Sequence, residues 1–164
     1  MAAIKNPQAI TPFLWFDGRA AEAMQFYTSV FPNSSIVMDV KWGEGTDFPA
    51  AWVMTGTVVL NGVKFHLFDA GPQFKFNESI SFMISCKDQK DIDYYWQKLT
   101  EGGGSEQPCG WVKDRFGVSW QIVPEEFWLD YMVNGERPRM LKAMQAMYTM
   151  KKLDVAALQA AYNS

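Results

Sequence analysis

Histidine is nearly absent from this chain, with one, His66, among 164 residues. A single imidazole excludes a metal centre that needs two histidines from one chain, the two-histidine-one-carboxylate arrangement included. Cysteine is almost as scarce: Cys86 and Cys109 are too few for a disulfide framework and lack metal-ligand spacing. Both are read as reduced and as small apolar packing groups. Lys and Arg are spread out under a formal net charge of −3, with no basic cluster to track a phosphate backbone, so nucleic acid is not an expected partner. No apolar run nears the length of a membrane span, and the opening Met-Ala-Ala-Ile-Lys-Asn-Pro lacks the apolar stretch of a secretory signal. A soluble chain in the cytoplasm, with no membrane partner, is the expectation.

What the chain has in quantity is apolar and aromatic surface, 48% and 15% of its residues. That is well clear of the composition that keeps chains disordered, and a chain of this length buries roughly two thirds of its unfolded surface.

Periodicity places the elements. Ile10 to Phe16 reads as a strand ended by Asp17-Gly18, followed by a helix with Ala20, Ala23, Met24, Tyr27 and Phe31 on one face. Ser35 to Trp42 and Ala51 to Leu60 read as strands around a glycine-rich loop. Asn61-Gly62 then makes a two-residue hairpin turn, because both residues tolerate positive φ, and Val63 to Asp69 is the returning strand. After Gly71-Pro72 the order recurs. Ser79 to Cys86 is a strand, and Ile92, Tyr95, Trp96 and Leu99 mark a helix capped by Asp88 and ended by Gly102-Gly103-Gly104. Cys109 to Lys113 and Val118 to Val123 are strands flanking the turn Asp114-Arg115-Phe116-Gly117. Strand, helix and several strands therefore occur twice at an offset of roughly 70 residues, a repeat that bears on the whole fold. Beyond Pro124, helices are expected over Glu125 to Met132, Arg139 to about Met150, and Asp154 to Tyr162. Met140, Met144 and Met147 share a face there, as gap-filling contacts with the core or a partner subunit, or as a lid.

The fold class read from this order is α+β, one domain over 1–164. It holds a first module at 9–70, a second at 79–123 and a C-terminal helical extension at 124–164. The turn Asp114-Arg115-Phe116-Gly117 with Val118-Ser119-Trp120-Gln121-Ile122, set in such paired modules, resembles the vicinal oxygen chelate superfamily of glyoxalase I, bleomycin-resistance proteins and extradiol dioxygenases. Four further phrases resemble its PhnB-like family, whose members often carry the label 3-demethylubiquinone-9 3-methyltransferase. They are Ile10-Thr11-Pro12-Phe13-Leu14-Trp15-Phe16-Asp17-Gly18, Phe74-Lys75-Phe76-Asn77-Glu78, Tyr94-Tyr95-Trp96 and Cys109-Gly110-Trp111. The resemblance implies that each module is βαβββ, with two sheets curving toward each other, and a homodimer. Methyl transfer would require a site for S-adenosylmethionine, usually a glycine-rich turn from strand into helix. Neither Gly43-Glu44-Gly45 nor Gly102-Gly103-Gly104 opens a helix in this reading.

Parity selects the site. The Asn61-Gly62 turn pairs Leu60 with Val63, Val58 with Phe65 and Thr57 with His66. Val58, Leu60, Phe65 and Leu67 then face the helices, while Thr55, Thr57, Lys64, His66 and Phe68 face the other way. The same division sets Leu14, Phe16, Ile80, Phe82, Ile84, Trp120 and Ile122 against Thr11, Phe13, Trp15, Ser81, Met83, Ser119 and Gln121. A cleft between the modules is expected, with Thr11, Phe13, Trp15, Thr57, Ser81 and Gln121 as ligand-binding residues. His66 either acts as a general base or completes a polar pocket by bonding Thr57 or a water. Trp15 and Trp111 either stack on a ligand or pack the core.

In the superfamily's metal-dependent members the ion is held at positions that fall here at Thr11, His66, Ser81 and Gln121. Hydroxyls and a carboxamide bind transition metals weakly, so no metal and no other cofactor is expected. The reading is a metal-free protein that binds a small, partly aromatic or amphipathic organic molecule. The alternatives are a metal-dependent lyase, isomerase or dioxygenase of the same superfamily, and an interaction module built on the C-terminal helices.

Overall fold

The computed structural model describes residues 8–164 and divides into two compact units, one ending at Lys75 and the other spanning Phe76–Ser164. In the first, β1 (Phe13–Phe16) leads into α1 (Ala20–Val30), followed by β2 (Ser35–Lys41), β3 (Val53–Leu60) and β4 (Val63–Asp69). The second repeats the order with β5 (Ser81–Cys86), α2 (Gln89–Thr100), β6 (Ser105–Glu106), β7 (Trp111–Lys113) and β8 (Ser119–Pro124). Their sheets run β1-β4-β3-β2 and β5-β8-β7-β6, each with its first strand parallel to its last. Both units are thus βαβββ modules of identical strand order, and the α+β fold read from the internal repeat is the fold found.

Register in the first sheet follows from the turn chemistry. Asn61 and Gly62 adopt φ of 45° and 85°, and the ladder pairs Leu60 with Val63, Val58 with Phe65 and Thr57 with His66. One face of the hairpin is consequently closed over by α1: Val58, Leu60, Phe65 and Leu67 are buried with Met24, Tyr27 and Val30. Gly56 permits the approach, since a Cβ there would lie 2.6 Å from Met24 Sδ. In the second sheet Trp120 and Ile122 are buried with Ile92, Trp96 and Leu99 of α2, whose N-cap Asp88 accepts from Asp91 N at 3.0 Å.

Each unit contains one buried carboxylate that ties backbone amides together. Asp69, 1% exposed, accepts from Ala20 N at the start of α1 and from Val53 N at the start of β3, both at 2.9 Å. Asp114 accepts from Phe116 N, Val118 N and the indole of Trp120, closing the turn between β7 and β8. Ionised acceptors form strong hydrogen bonds with backbone amides, and these satisfy donors that burial would otherwise strand.

Three local expectations are corrected. Cys109-Gly110 is a turn rather than the start of a strand: both have positive φ, 61° and 80°, and Trp111 N donates to Pro108 O. Ile80 precedes β5 and is 71% exposed instead of lying under a helix. The segment after Pro124 is a π-helix, Phe127–Val133, with Asn134 N bonding Leu129 O five residues back. Seven residues that bury only Phe127 and Tyr131 do not distinguish a period of 3.6 from a wider one. The remaining elements are α3 (Arg137–Tyr148) and α4 (Val155–Asn163), the latter capped by Asp154, which accepts from Ala157 N. Phe127, Tyr131, Ala143, Leu153 and Leu158 form the core of this extension, with Met147 packed against it. The extension is pinned to the second module through Cys109 N to Met150 O and Gly110 N to Lys151 O. Among the described residues, no helix is long and apolar enough to cross a membrane.

Replacing Asp69 by Ala strands two buried amides and is expected to cost about 3 kcal/mol of stability in urea unfolding. A change under about 0.5 kcal/mol would contradict this account of α1 and β3. The thiol of buried Cys86 is pushed up to about 12 by desolvation and by the charges of Asp91 and Asp88. At pH 8 its thiolate is therefore on the order of one part in ten thousand. Iodoacetamide should leave Cys86 unmodified in native protein and alkylate it after unfolding, as read by peptide mass spectrometry.

Candidate functional site

Each module turns one sheet face toward its helix and leaves the opposite face to its polar and aromatic residues. On the first sheet the register sets Phe13 of β1, His66 of β4 and Thr57 of β3 in one row. The corresponding row of the second sheet is Met83, Gln121 and Trp111. His66 and Gln121 are therefore equivalent positions of the two modules. Thr11 and Ser81 lie two residues before Phe13 and Met83, and are equivalent in turn.

The first row is bonded internally. Thr57 Oγ1 lies 2.9 Å from His66 Nδ1, and the Phe13 ring centroid is 5.6 Å from the imidazole. If the Thr57 hydroxyl donates to Nδ1, Nε2 carries the proton and presents a donor; in the other tautomer Nε2 presents an acceptor and a base. Backbone placement is firm, as His66 N donates to Pro12 O at 2.9 Å, beside Thr11. Trp15 spends its indole N–H on Gly71 O at 2.8 Å, so its ring offers contact area without a free donor. It meets Phe68 and Phe74 edge to face at 4.7 and 5.0 Å, and Phe13 meets Phe68 at 4.9 Å. Phe13 and Phe74 remain 56% and 66% exposed, a wide apolar ledge beside one imidazole.

In the second unit Gln121 Nε2 donates to Ser81 Oγ at 2.8 Å. Met83 is exposed, Trp111 half-buried and Ser119 buried. The structure thus joins Thr57, His66 and Phe13 in one cluster and Ser81 with Gln121 in another. Trp15 belongs to the aromatic ledge, and Thr11 adjoins the first cluster through the chain.

Two aromatic contributors, Phe68 and Phe74, lay outside the predicted site. Phe68 was within reach, since it shares the parity of His66. Phe74 sits in a loop where no periodicity constrains a side chain, and it entered the sequence reading only within the phrase Phe74-Lys75-Phe76-Asn77-Glu78.

The donor set does not suit a transition metal. Among the described residues, no three His, Cys, Asp or Glu side chains gather where they could hold an ion. The four positions implied for a metal carry one imidazole, two hydroxyls and a carboxamide, of which Ser81 and Gln121 bond each other. Asp69, the nearest carboxylate in sequence to His66, is committed on the opposite face to two amides.

Cofactor anions bind helix N-termini that follow glycine turns, and here α1 and α2 have theirs occupied by Asp69 and Asp88. Gly18, before α1, packs on Trp52, whose ring a Cβ would meet at 2.8 Å. The Gly43 to Gly45 loop runs between β2 and β3, and Gly102-Gly103 follow α2.

Two βαβββ modules of one strand order, each with a polar row on the face away from its helix, define a protein of the vicinal oxygen chelate fold. Residues 8–123 match the model of the family described as 3-demethylubiquinone-9 3-methyltransferase. This chain belongs to that family, the PhnB-like branch of the superfamily. A PhnB protein from Bacillus cereus is 34% identical, with 71% of this chain covering 99% of that one at a TM-score of 0.68. A Pseudomonas aeruginosa protein is 22% identical over 71% of this chain and 96% of its own, with a TM-score of 0.61. The fosfomycin resistance protein FosX from Listeria monocytogenes, solved with Mn(II) and sulfate, is 12% identical over 69% and 88% with a TM-score of 0.48, too slight a likeness to inform the chemistry here. No curated protein matches. The family model stops at Val123, so the π-helix, α3 and α4 lie beyond it.

Protein purified without chelators should hold fewer than about 0.1 equivalents of zinc, iron, manganese or nickel by elemental analysis, as expected of hydroxyl and carboxamide donors. A stoichiometric ion would overturn the reading of this donor set.

Proposed function

We propose that this chain is a metal-free small-molecule-binding protein, acting as a homodimer in the cytoplasm. Its ligand is a small organic molecule with an apolar, partly aromatic body and a few polar atoms. The groups that can orient its polar atoms are, in the first unit, His66, Thr57 and Thr11 at the entry to β1 and, in the second unit taken by itself, Ser81 and Gln121. Phe13 and Trp15 supply ring contacts. The observation that carries this reading is the matched pair of rows: an imidazole bonded to a threonine and a carboxamide bonded to a serine, at equivalent positions of two modules. The first lies beside largely exposed aromatic rings. Sites for small organic molecules combine such apolar surface with a few convergent hydrogen-bonding groups.

His66 has a second use within the same reading. In the tautomer that presents Nε2 as an acceptor, it is a general base for a proton on the bound molecule. The aromatic ledge favours ligand binding, because rings offered to solvent are costly to a fold that makes no use of them.

The test is native mass spectrometry of gently purified protein, identifying whatever small molecule copurifies, followed by binding measurements with that molecule. His66→Ala and Gln121→Ala should each weaken binding about tenfold, the worth of one well-made hydrogen bond to a ligand. Phe13→Ala should weaken it by a similar factor through lost apolar contact. Wild-type affinity in both His66→Ala and Gln121→Ala would remove the site from these rows.

A further inference from the structure

The second sheet carries a buried hydroxyl that the fold does not satisfy. Ser119 is 2% exposed, and among the described residues its Oγ has no hydrogen-bond partner. A serine hydroxyl shut away from water without a partner loses its hydration for nothing, so native structures seldom keep one without a use.

Its surroundings show the use. The ladder sets Ser119 beside Ser81 on β5 and beside Lys113 on β7, and Gln121, two residues on, shares its face. Gln121 Nε2 donates to Ser81 Oγ, so the proton of half-exposed Ser81 is directed away from that bond and is open to solvent or to a ligand. Ser119 brings a second proton. The lysine that neighbours Ser119 across the ladder is already taken, because Lys113 Nζ pairs with the Glu78 carboxylate. A buried hydroxyl without a partner beside a half-exposed one whose proton is free of the Gln121 bond, with the neighbouring lysine already paired to a carboxylate, suits an oxygen that only accepts and carries no full charge. A carbonyl oxygen, with two lone pairs, meets both conditions. A carboxylate or phosphoryl group would be left without a counter-charge. Ser119 reaches such an atom by turning about χ1, since no hydrogen bond pins its Oγ and strand side chains use two χ1 positions readily.

We propose that Ser81, Ser119 and Gln121 form a subsite for a neutral carbonyl oxygen, which makes the ligand class an uncharged ring compound bearing a ketone or an amide. This rests on the small-molecule-binding reading above and gives it a chemical class. Gln121 orients the Ser81 hydroxyl, and Ser81 and Ser119 donate to the carbonyl.

Ligand-observed NMR titrations of the full chain with acetophenone, benzamide, benzoate, benzylamine and toluene test the proposal. Acetophenone and benzamide should bind wild-type protein more tightly than benzoate or benzylamine. Ser119→Ala should weaken the two carbonyl probes about tenfold and leave toluene unchanged. In ligand-free protein the same substitution should keep or raise Tm, because it deletes a hydroxyl with no partner. The proposal is overturned if Ser119→Ala binds acetophenone and benzamide as wild type does, or if benzoate binds wild type best. A Tm lowered by several degrees would also overturn it, by showing that the hydroxyl serves the fold. Failure of the broader reading looks different: no probe binds, toluene included, and no molecule copurifies. Binding indifferent to Ser119 defeats the carbonyl subsite alone.

Discussion

Cross-strand register is the constraint on which the rest of this molecule depends. Successive side chains of a strand point to opposite faces, so a slip of one residue would exchange the faces of a whole strand. In the first module the slip is prevented where Asn61 and Gly62 adopt the positive φ of a tight hairpin turn, and in the second where the Asp114 carboxylate gathers Phe116 N, Val118 N and the Trp120 indole. With those turns set, Val58, Leu60, Phe65 and Leu67 meet α1, Trp120 and Ile122 are buried on the side of α2, and His66 and Gln121 are left on the faces the helices do not cover.

The two modules use one strand order but different chemistry. His66 bonds the hydroxyl of Thr57 across β3 and β4, whereas Gln121 bonds Ser81 across β5 and β8, reaching diagonally past its direct partner Met83. Phe13 stands beside the imidazole where Met83 stands beside the carboxamide. One sheet therefore pairs a titratable group with aromatic rings, and the other pairs hydroxyls with an amide. The family to which the chain belongs is defined over residues 8–123, and the helices beyond rest on the second module through the turn at Cys109-Gly110.

Much of this was legible from periodicity. The Asn-Gly turn, the Asp88 cap and the apolar spacing of both helices each rest on neighbours in sequence, and each was found as read except that Phe31 lies just past the end of α1. The misreadings share a cause. Cys109 takes a left-handed conformation that its residue type does not favour, and it does so while its amide, with that of Gly110, bonds Met150 O and Lys151 O some forty residues on. The π-helix likewise seats Phe127 and Tyr131 against Leu153 and Leu158, contacts that no local pattern encodes.

The sequence by itself determined the repeat of strand, helix and several strands, the register of the central hairpin, the parity of His66, Ser81 and Gln121, and the poverty of metal-binding donors, while the short β6 went unread. These follow from residue types and spacings of a few positions. Only the tertiary structure decided that Asp69 holds α1 to β3, that Gln121 spends a donor on Ser81, that Phe68 and Phe74 widen the aromatic ledge and that the hydroxyl of Ser119 is buried unmet. Hydrogen-bond partners and burial depend on which distant segments arrive beside a side chain, and alternation along a strand does not carry that information.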